Sequence, residues 1–330
     1  MSRELENDGV NPFLFIVGCA RSGTTLLQRL LDAHPRLAII HETHWIPLFF
    51  REGVGLTPEG NVTPELLPRL LEHERFRKRF GKVGIGRAEL KGLLGDGAPV
   101  SYARFVGGLF DLYGRAKGKP LVGDKTPRYA QNMPALHGLW PGAKFVHLIR
   151  DGRDVCLSAM NWREKAATLA GRFSTWGEFP VTTAAVWWKW RVRLAREAGE
   201  VLGPGLYCEV RYEALVARPA EECARLCAFL GVLYDDAMLR FHEGHTRDGP
   251  DLSAKRSWQP ITPGLRDWRT QMPAEDQERF EAAAGDLLDE LGYPRAVPQP
   301  RPEAVDRASQ VRESFIRDLT AYEPVLPRRW

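Results

Sequence analysis

Short apolar runs alternate with helical patterns along the first part of the chain. Phe13–Val17 is continuously apolar and ends at Gly18, which is typical of a strand buried on both faces. From Thr24 onward, leucines recur at helical spacing until His34-Pro35, and a second apolar run follows at Leu37–Ile40. The order strand, loop, helix, strand predicts a right-handed βαβ unit and therefore a parallel sheet.

The same alternation continues along the rest of the chain. Further strands are predicted at Leu121–Gly123, Phe145–Ile149 and Leu206–Val210, and helices at Pro64–Phe80, Tyr102–Arg115, Thr182–Leu202 and Ala304–Thr320. The tryptophans of the 182–202 helix are expected in the core. This pattern predicts an α/β fold with a central parallel sheet flanked by helices. We expect one domain over residues 1–330, with a core over about 12–293 and a tail, 294–330, that wraps the surface before a short last helix.

Composition narrows the class of protein. The chain has 330 residues, of which 44% are hydrophobic and 27% charged, as in soluble globular proteins. Its net charge is only +4, yet it contains 36 arginines and ten lysines. Arginine favours bidentate contacts with anions, whereas the small net charge and the lack of a basic tail argue against a nucleic-acid partner.

Cysteine usage and the length of apolar segments indicate the compartment. The five cysteines are scattered, form no C-x-x-C pair and show no zinc spacing with histidine, so we expect reduced thiols and no metal site. The N-terminus has no signal pattern. The longest apolar runs are far shorter than the roughly 18 residues that a membrane span requires. The sequence therefore predicts a cytoplasmic protein without a transmembrane segment.

A glycine-rich loop joins the first strand to the first helix. It reads Gly18-Cys-Ala-Arg21-Ser-Gly23-Thr24-Thr25. Loop amides and a helix N-terminus together bind phosphate. The spacing matches the loop of nucleotide triphosphatases, but Thr24 stands where their lysine follows the second glycine. The cation of this loop is instead Arg21, so the loop can hold a phosphate without a metal ion.

A second anion site is predicted after the strand at 145–149. Arg150 emerges at the carboxyl end of that strand, where open α/β sheets bind ligands. Ser158 lies two helical turns further on. Both side chains can therefore converge on one dianion.

These two motifs, R-S-G-T-T-L and R-D-x-R-D-x-x-x-S, resemble those of the sulfotransferases that use 3′-phosphoadenylyl sulfate (PAPS). The resemblance extends from Phe13 to about Tyr293 and implies a P-loop-type three-layer fold. It includes the Tyr207–Gly231 block. Within the family, L-L-D-A-H-P at 30–35 and H-E-T-H-W-I-P at 41–47 are most similar to the tyrosylprotein-type branch and to bacterial members.

The resemblance assigns cofactor contacts residue by residue. The residues it implies for the 5′-phosphosulfate are Arg21, Ser22, Gly23, Thr24 and Thr25; those for the ribose 3′-phosphate are Arg150 and Ser158, and Tyr212 matches a further cofactor contact. The branch has a lysine where this chain reads Ile261-Thr262-Pro263. Ser257, Arg256 or Arg266 are the candidates to replace it, and we assign Ser257 as a cofactor contact.

Sulfuryl transfer needs a base for the acceptor and positive charge near the leaving oxygen. Arg21 suits the second task, and Lys125, in the segment Val122-Gly-Asp-Lys-Thr-Pro127, matches the lysine that acts on the leaving group in the tyrosylprotein branch. Glu42 matches the catalytic glutamate of that branch. His41 and His44 are its rivals, since other sulfotransferases use histidine, and Glu42 could instead cap a helix.

The sequence therefore predicts a PAPS-dependent sulfotransferase that releases 3′,5′-adenosine bisphosphate (PAP) and needs no metal. Its acceptor is a hydroxyl or amine of a small molecule, lipid, sugar or peptide, and a homo-oligomer is compatible with the sequence. The alternatives are a small-molecule P-loop kinase, disfavoured by Thr24, and a nucleotide-binding protein without catalysis, which would need neither Glu42 nor Lys125.

Overall fold

A five-stranded parallel sheet forms the centre of the protein. The computed structural model describes residues 11–95, 97–243, 260–261 and 266–322. The strands are β1 (Leu14–Gly18), β2 (Leu37–His41), β3 (Leu121–Lys125), β4 (Lys144–Ile149) and β5 (Tyr207–Arg211), and their order in the sheet is β2-β3-β1-β4-β5. Each predicted strand agrees with an observed one to within two residues, which confirms the α/β prediction.

Helices follow the strands and fill the connections between them. They are α1 (Thr24–Ala33), α2 (Trp45–Glu52), α3 (Leu66–Glu72), α4 (Glu74–Arg79), α5 (Arg87–Leu94), α6 (Tyr102–Lys117), α7 (Met133–Leu139), α8 (Gly152–Met160), α9 (Arg163–Ala170), α10 (Pro180–Leu202), α11 (Tyr212–Ala217), α12 (Pro219–Leu230), α13 (Trp268–Gln271), α14 (Ala274–Glu290) and α15 (Pro302–Tyr322). The single helix predicted at 64–80 is wrong, because His73 takes an extended conformation and separates α3 from α4.

Alternate residues of β1 face the two helical layers. Leu14 and Ile16 pack with Leu27 of α1 and Leu226 of α12 on one face of the sheet. Phe15, between them along the strand, packs on the other face among side chains of α6 and α10. Because side chains alternate along a strand, a strand that is apolar throughout needs a helical layer on both faces. The expected three-layer arrangement is confirmed.

A further core forms around the long helix α10. Trp188 and Trp190 are fully buried there, as expected for core aromatics. The tail helix α15 spans 21 residues and is not the short surface helix that was expected. Its apolar positions recur at helical spacing, so Phe315 enters this core and stacks on Phe173 at 4.3 Å between ring centroids. The single-domain organisation over 1–330 stays a prediction.

The direction of the strands sets the position of the candidate site. Since all five strands are parallel, their carboxyl ends lie at one edge of the sheet. Gly18 ends β1, Glu42 follows β2, Lys125 ends β3, Arg150 follows β4 and Tyr212 follows β5. The sheet thus gathers at one edge residues that are far apart in sequence. Among the described residues, no helix is both long and apolar enough to cross a membrane.

Candidate active site

The loop after β1 leads directly into the N-terminus of α1. Gly23 precedes the first helical residue and has φ +99°, a left-handed conformation that glycine adopts easily. A Cβ at Gly23 would lie 2.5 Å from the Tyr212 ring, so this tyrosine closes over the loop. Ser22 is fully buried, and its Oγ has no hydrogen-bond partner within the described residues. Helix amides and a buried hydroxyl with this geometry suit an anionic ligand.

Arg21 links the loop to α8. Its Nε donates a 3.0 Å hydrogen bond to Ser158 Oγ, and its guanidinium lies 3.7 Å from the centroid of the Trp162 ring. Burial and the nearby guanidinium groups of Arg266 and Arg150 lower the pKa of Arg21 to about 10. The structure therefore brings Arg21 and Ser158 together, although they come from separate motifs. The stacking of Trp162 on Arg21 was not predicted from the sequence.

Arg150 lies at the carboxyl end of β4, almost entirely buried. Its Nη2 is 3.1 Å from Asp154 Oδ2, and its guanidinium is 4.2 Å from the centroid of the Tyr212 ring. Its Nε is buried with no partner among the described atoms. Burial first, and then the charge of Arg150, lowers the pKa of Arg266. Arg21, Arg150 and Arg266 thus concentrate positive charge that an anionic ligand would stabilise.

Asp154 connects this anion site to the segment before α13. Its Oδ1 accepts a 3.0 Å hydrogen bond from the backbone of Trp268, while Oδ2 pairs with Arg150. That connection holds the nearby chain, including Arg266, beside Arg150. Asp154 lies in the R-D-x-R-D motif, but the sequence assigned it no role. The signal that could have found it is its i,i+4 spacing from Arg150. Ser257, Arg256 and Thr262 lie outside the described residues.

Glu42 and Lys125 form an ion pair at the ends of β2 and β3. Lys125 Nζ is 2.8 Å from Glu42 Oε1 and 3.5 Å from Thr25 Oγ1 of the loop. The backbone N–H of Glu42 also donates to the carbonyl of Lys125 at 2.9 Å. The lysine side chain is fully buried. Burial lowers the pKa of Lys125, and the Glu42 carboxylate opposes that shift.

Basic side chains surround the Glu42 carboxylate. Arg75 lies 3.5 Å from Oε2, and His44 Nε2 lies 3.3 Å from the same oxygen. Burial alone would raise the pKa of Glu42, but the Lys125 ammonium and a hydrogen bond with His44 hold it well below its usual range. Glu42 is therefore ionised at neutral pH. A partly exposed carboxylate beside a phosphate loop can accept a proton from a bound nucleophile.

His41 and His44, the alternative candidates for the base, lie on either side of Glu42 in the sequence. His41 Nδ1 lies 2.8 Å from Gln28 Oε1. Burial and the Lys125 charge lower the pKa of His41 to about 2, so its imidazole is neutral. Helix α2 begins at Trp45 with His44 as its N-cap residue. The interpretation of Glu42 as a helix cap is therefore wrong.

These features define an α/β protein with a phosphate-binding loop and a cation-lined site at the carboxyl edge of its sheet. The chain matches the sequence profile of the Sulfotransferase family over residues 12–236, and it belongs to that family. It is therefore an enzyme of the transferase class, and family membership supports sulfotransferase activity. Among the described residues, no group of three or more histidine, cysteine, aspartate or glutamate side chains could hold a metal ion.

Individual relatives agree with this assignment. The nodulation protein NoeE of Sinorhizobium fredii is 30% identical over 92% of this chain and 71% of the relative. Protein-tyrosine sulfotransferase A of Caenorhabditis elegans is 26% identical over 88% of this chain and 71% of that protein. The sulfotransferase domain of the Synechococcus PCC 7002 olefin synthase has a TM-score of 0.57 and 25% identity, covering 89% of this chain and 99% of the domain. The expected similarity to tyrosylprotein and bacterial sulfotransferases is confirmed.

Proposed function

We propose that this enzyme transfers the sulfuryl group of PAPS, in line, to a hydroxyl or amine acceptor. The observation that carries the proposal is the Glu42–Lys125 pair, with Lys125 Nζ 2.8 Å from the carboxylate and 3.5 Å from Thr25 of the phosphate loop. A base and a cation thus meet beside the loop. A protein that only binds a nucleotide needs neither of them.

The residues present fit PAPS, which would supply an activated sulfuryl group on a 5′-phosphate leaving group. Ser22 Oγ and Arg150 Nε are buried polar atoms without partners among the described residues. Loop residues 21–25 would hold the 5′ end of PAPS. Arg150, Ser158 and Tyr212, with Ser257 as a further candidate, would hold the ribose 3′-phosphate and the rest of the nucleotide. Arg266 is the described candidate to replace the lysine that relatives carry at Thr262.

Glu42 accepts the proton of the acceptor, and Lys125 and Arg21 supply positive charge next to the loop. Glu42 suits this role because it is ionised at neutral pH and its side chain is partly exposed. Lys125 is held by the ion pair and points toward Thr25, so its charge is already in position and needs no reorganisation. Proton acceptance by a positioned carboxylate accelerates such reactions by about 10²–10⁴-fold.

The acceptor class is open among small molecules, sugars, lipids and peptides, since relatives include a nodulation protein and protein-tyrosine sulfotransferases by name. The enzyme is proposed to work as one domain, in the cytoplasm and without a metal ion. The cytoplasmic location is proposed because the five cysteines are scattered along the sequence and form no C-x-x-C pair. Arginine and lysine charge takes the place of the magnesium ion that kinase loops require.

Ligand-dependent thermal unfolding tests the proposal against the kinase alternative. PAP should raise the melting temperature in the presence of EDTA, whereas ATP with Mg²⁺ should not. Transfer from radiolabelled PAPS to a panel of phenols, sugars, lipids and peptides then tests catalysis. Protection by ATP–Mg²⁺ but not by PAP would overturn the proposal in favour of a kinase. Full dependence of turnover on a divalent ion would overturn the metal-free mechanism.

A further inference from the structure

Thr43 lies between two residues that have a left-handed backbone. Glu42 has φ +51° and His44 has φ +60°, although neither is glycine. Such conformations are strained for residues with a side chain and persist only where the surroundings impose them. Thr43 itself is fully buried. The backbone that carries the Glu42 carboxylate is therefore held by contacts on Thr43.

Three side chains make those contacts. The backbone N–H of Thr43 lies 3.3 Å from Asp124 Oδ2 and 3.1 Å from Thr126 Oγ1. Its side-chain oxygen lies 2.7 Å from the hydroxyl of Tyr129. That hydroxyl also accepts a 3.3 Å hydrogen bond from the backbone of Ile46, in the first turn of α2. Either hydroxyl can donate in the Tyr129–Thr43 hydrogen bond, and the Tyr129 oxygen can accept from Ile46 at the same time.

The segment that makes these contacts also carries Lys125. Asp124, Thr126 and Tyr129 all lie within residues 124–129, and the carbonyl of Lys125 accepts the backbone hydrogen bond from Glu42. The same six-residue segment therefore places both members of the Glu42–Lys125 pair. The ring of Tyr129 is buried and meets Phe15 of β1 edge-on, so its hydroxyl has a defined position.

We propose that Tyr129, acting through Thr43, is a positioning residue for the Glu42 carboxylate. This inference rests on the proposed role of Glu42 as the base. Without the Tyr129 hydroxyl, Thr43 Oγ1 and the Ile46 amide lose a buried partner, and the left-handed turn at 42–44 relaxes. A displacement of about 1 Å in a catalytic group costs on the order of 10²-fold in rate.

Tyr102 provides a matched control. Like Tyr129, it is buried and hydrogen-bonds to Ile46, but its hydroxyl donates to the Ile46 carbonyl at 2.8 Å and does not contact the turn. Tyr129→Phe and Tyr102→Phe each remove one buried hydroxyl and should lose similar stability. Only Tyr129→Phe should lower kcat, by about 10- to 100-fold, with the KM for PAPS and the Kd for PAP within about twofold of wild type.

Variants at Thr43 and a double variant complete the test. Thr43→Val should reproduce the kcat loss and Thr43→Ser should largely rescue it, which keeps the test decisive if Tyr129→Phe does not fold. Adding Tyr129→Phe to Glu42→Gln should lower kcat no further, because the group that Tyr129 positions is already inactive. The inference would be overturned if the two tyrosine variants had equal kcat. It would also be overturned if the losses in kcat from Tyr129→Phe and Glu42→Gln added up in the double variant. Glu42→Gln with normal turnover would instead refute the base assignment itself.

Discussion

The ammonium group of Lys125 lies 2.8 Å from the carboxylate of Glu42, and a 2.9 Å backbone hydrogen bond joins the same two residues. Lys125 is fully buried, so this pair differs from a surface salt bridge, whose contribution to stability is about 0–1 kcal/mol. Removing either charge would leave the other without its main partner in a site that already holds Arg75 and His44. The pair therefore couples the base to the cation next to the phosphate loop.

Glu42→Gln removes proton acceptance but keeps the shape of the side chain. Turnover should fall by about 10²–10⁴-fold while PAP affinity stays close to wild type. Steady-state kinetics and calorimetric titration with PAP measure the two effects separately. Glu52→Gln, at the end of α2 and paired with Arg69 on the surface, is the control and should retain full activity. A normal Glu42→Gln enzyme together with an inactive His44→Ala enzyme would move the base to histidine.

Arg150→Ala removes a buried guanidinium from the proposed 3′-phosphate site. The affinity for PAP should fall by about 1.5–3 kcal/mol, as expected for hydrogen bonds to a charged group. Adenosine 5′-phosphosulfate carries no 3′-phosphate, so its affinity should change much less. Arg225→Ala, which removes an exposed partner of Glu222, serves as the control. An equal loss for both nucleotides would contradict the assignment of Arg150 to the 3′-phosphate.

Gly23→Ala tests the contact between the phosphate loop and Tyr212. The new methyl group would lie 2.5 Å from the tyrosine ring, and overlap of this kind costs about 1–3 kcal/mol. PAP affinity should fall about 10- to 100-fold as the ring and loop separate. Gly118→Ala is the matched control, because Gly118 also has a left-handed φ, +67°, but its Cβ would meet no described atom within 4 Å. Similar PAP affinities for the two variants would refute the proposed packing.

The pKa of Asp124 predicts that the stability of the protein depends on pH. Burial raises the pKa of Asp124 to about 7, against opposing hydrogen bonds from Thr126 and Thr43. Because this folded-state pKa exceeds the unfolded value of 3.8, the folded state binds more protons in the window between them. Stability from this group is therefore lost as pH rises from about 4 to 7.

Asp124→Asn removes that titration. Between pH 5 and pH 8, the free energy of unfolding of the variant should rise by about 3 kcal/mol relative to that of the wild-type protein. Urea unfolding at several pH values measures the difference, and m-values identify any change in cooperativity. Parallel stability curves for the two proteins would show that Asp124 does not titrate in this range.

Much of the fold follows from local sequence patterns. The apolar run at 13–17 predicts β1, because a strand that is covered on both faces buries all its side chains and these are therefore apolar. The prediction of a single helix at 64–80 was wrong, because the spacing of apolar residues gives no sign that the backbone of His73 is extended. The tail helix was underestimated for a related reason: whether Phe315 faces solvent or a core depends on where α10 lies.

The sequence by itself determined which residue types form the site and which strands they follow. Arg21, Arg150 and Tyr212 each follow a recognisable strand, and parallel strands carry their carboxyl ends to one edge. Only the tertiary structure decided which of these groups touch. The Glu42–Lys125 contact joins residues that are 83 positions apart in the sequence. Arg21, in the loop after β1, stacks on Trp162, which lies between α8 and α9. Such contacts depend on the order of the strands, on the direction of the side chains and on the left-handed backbone at Glu42. These properties arise when the chain packs, so they leave no periodic pattern in the sequence.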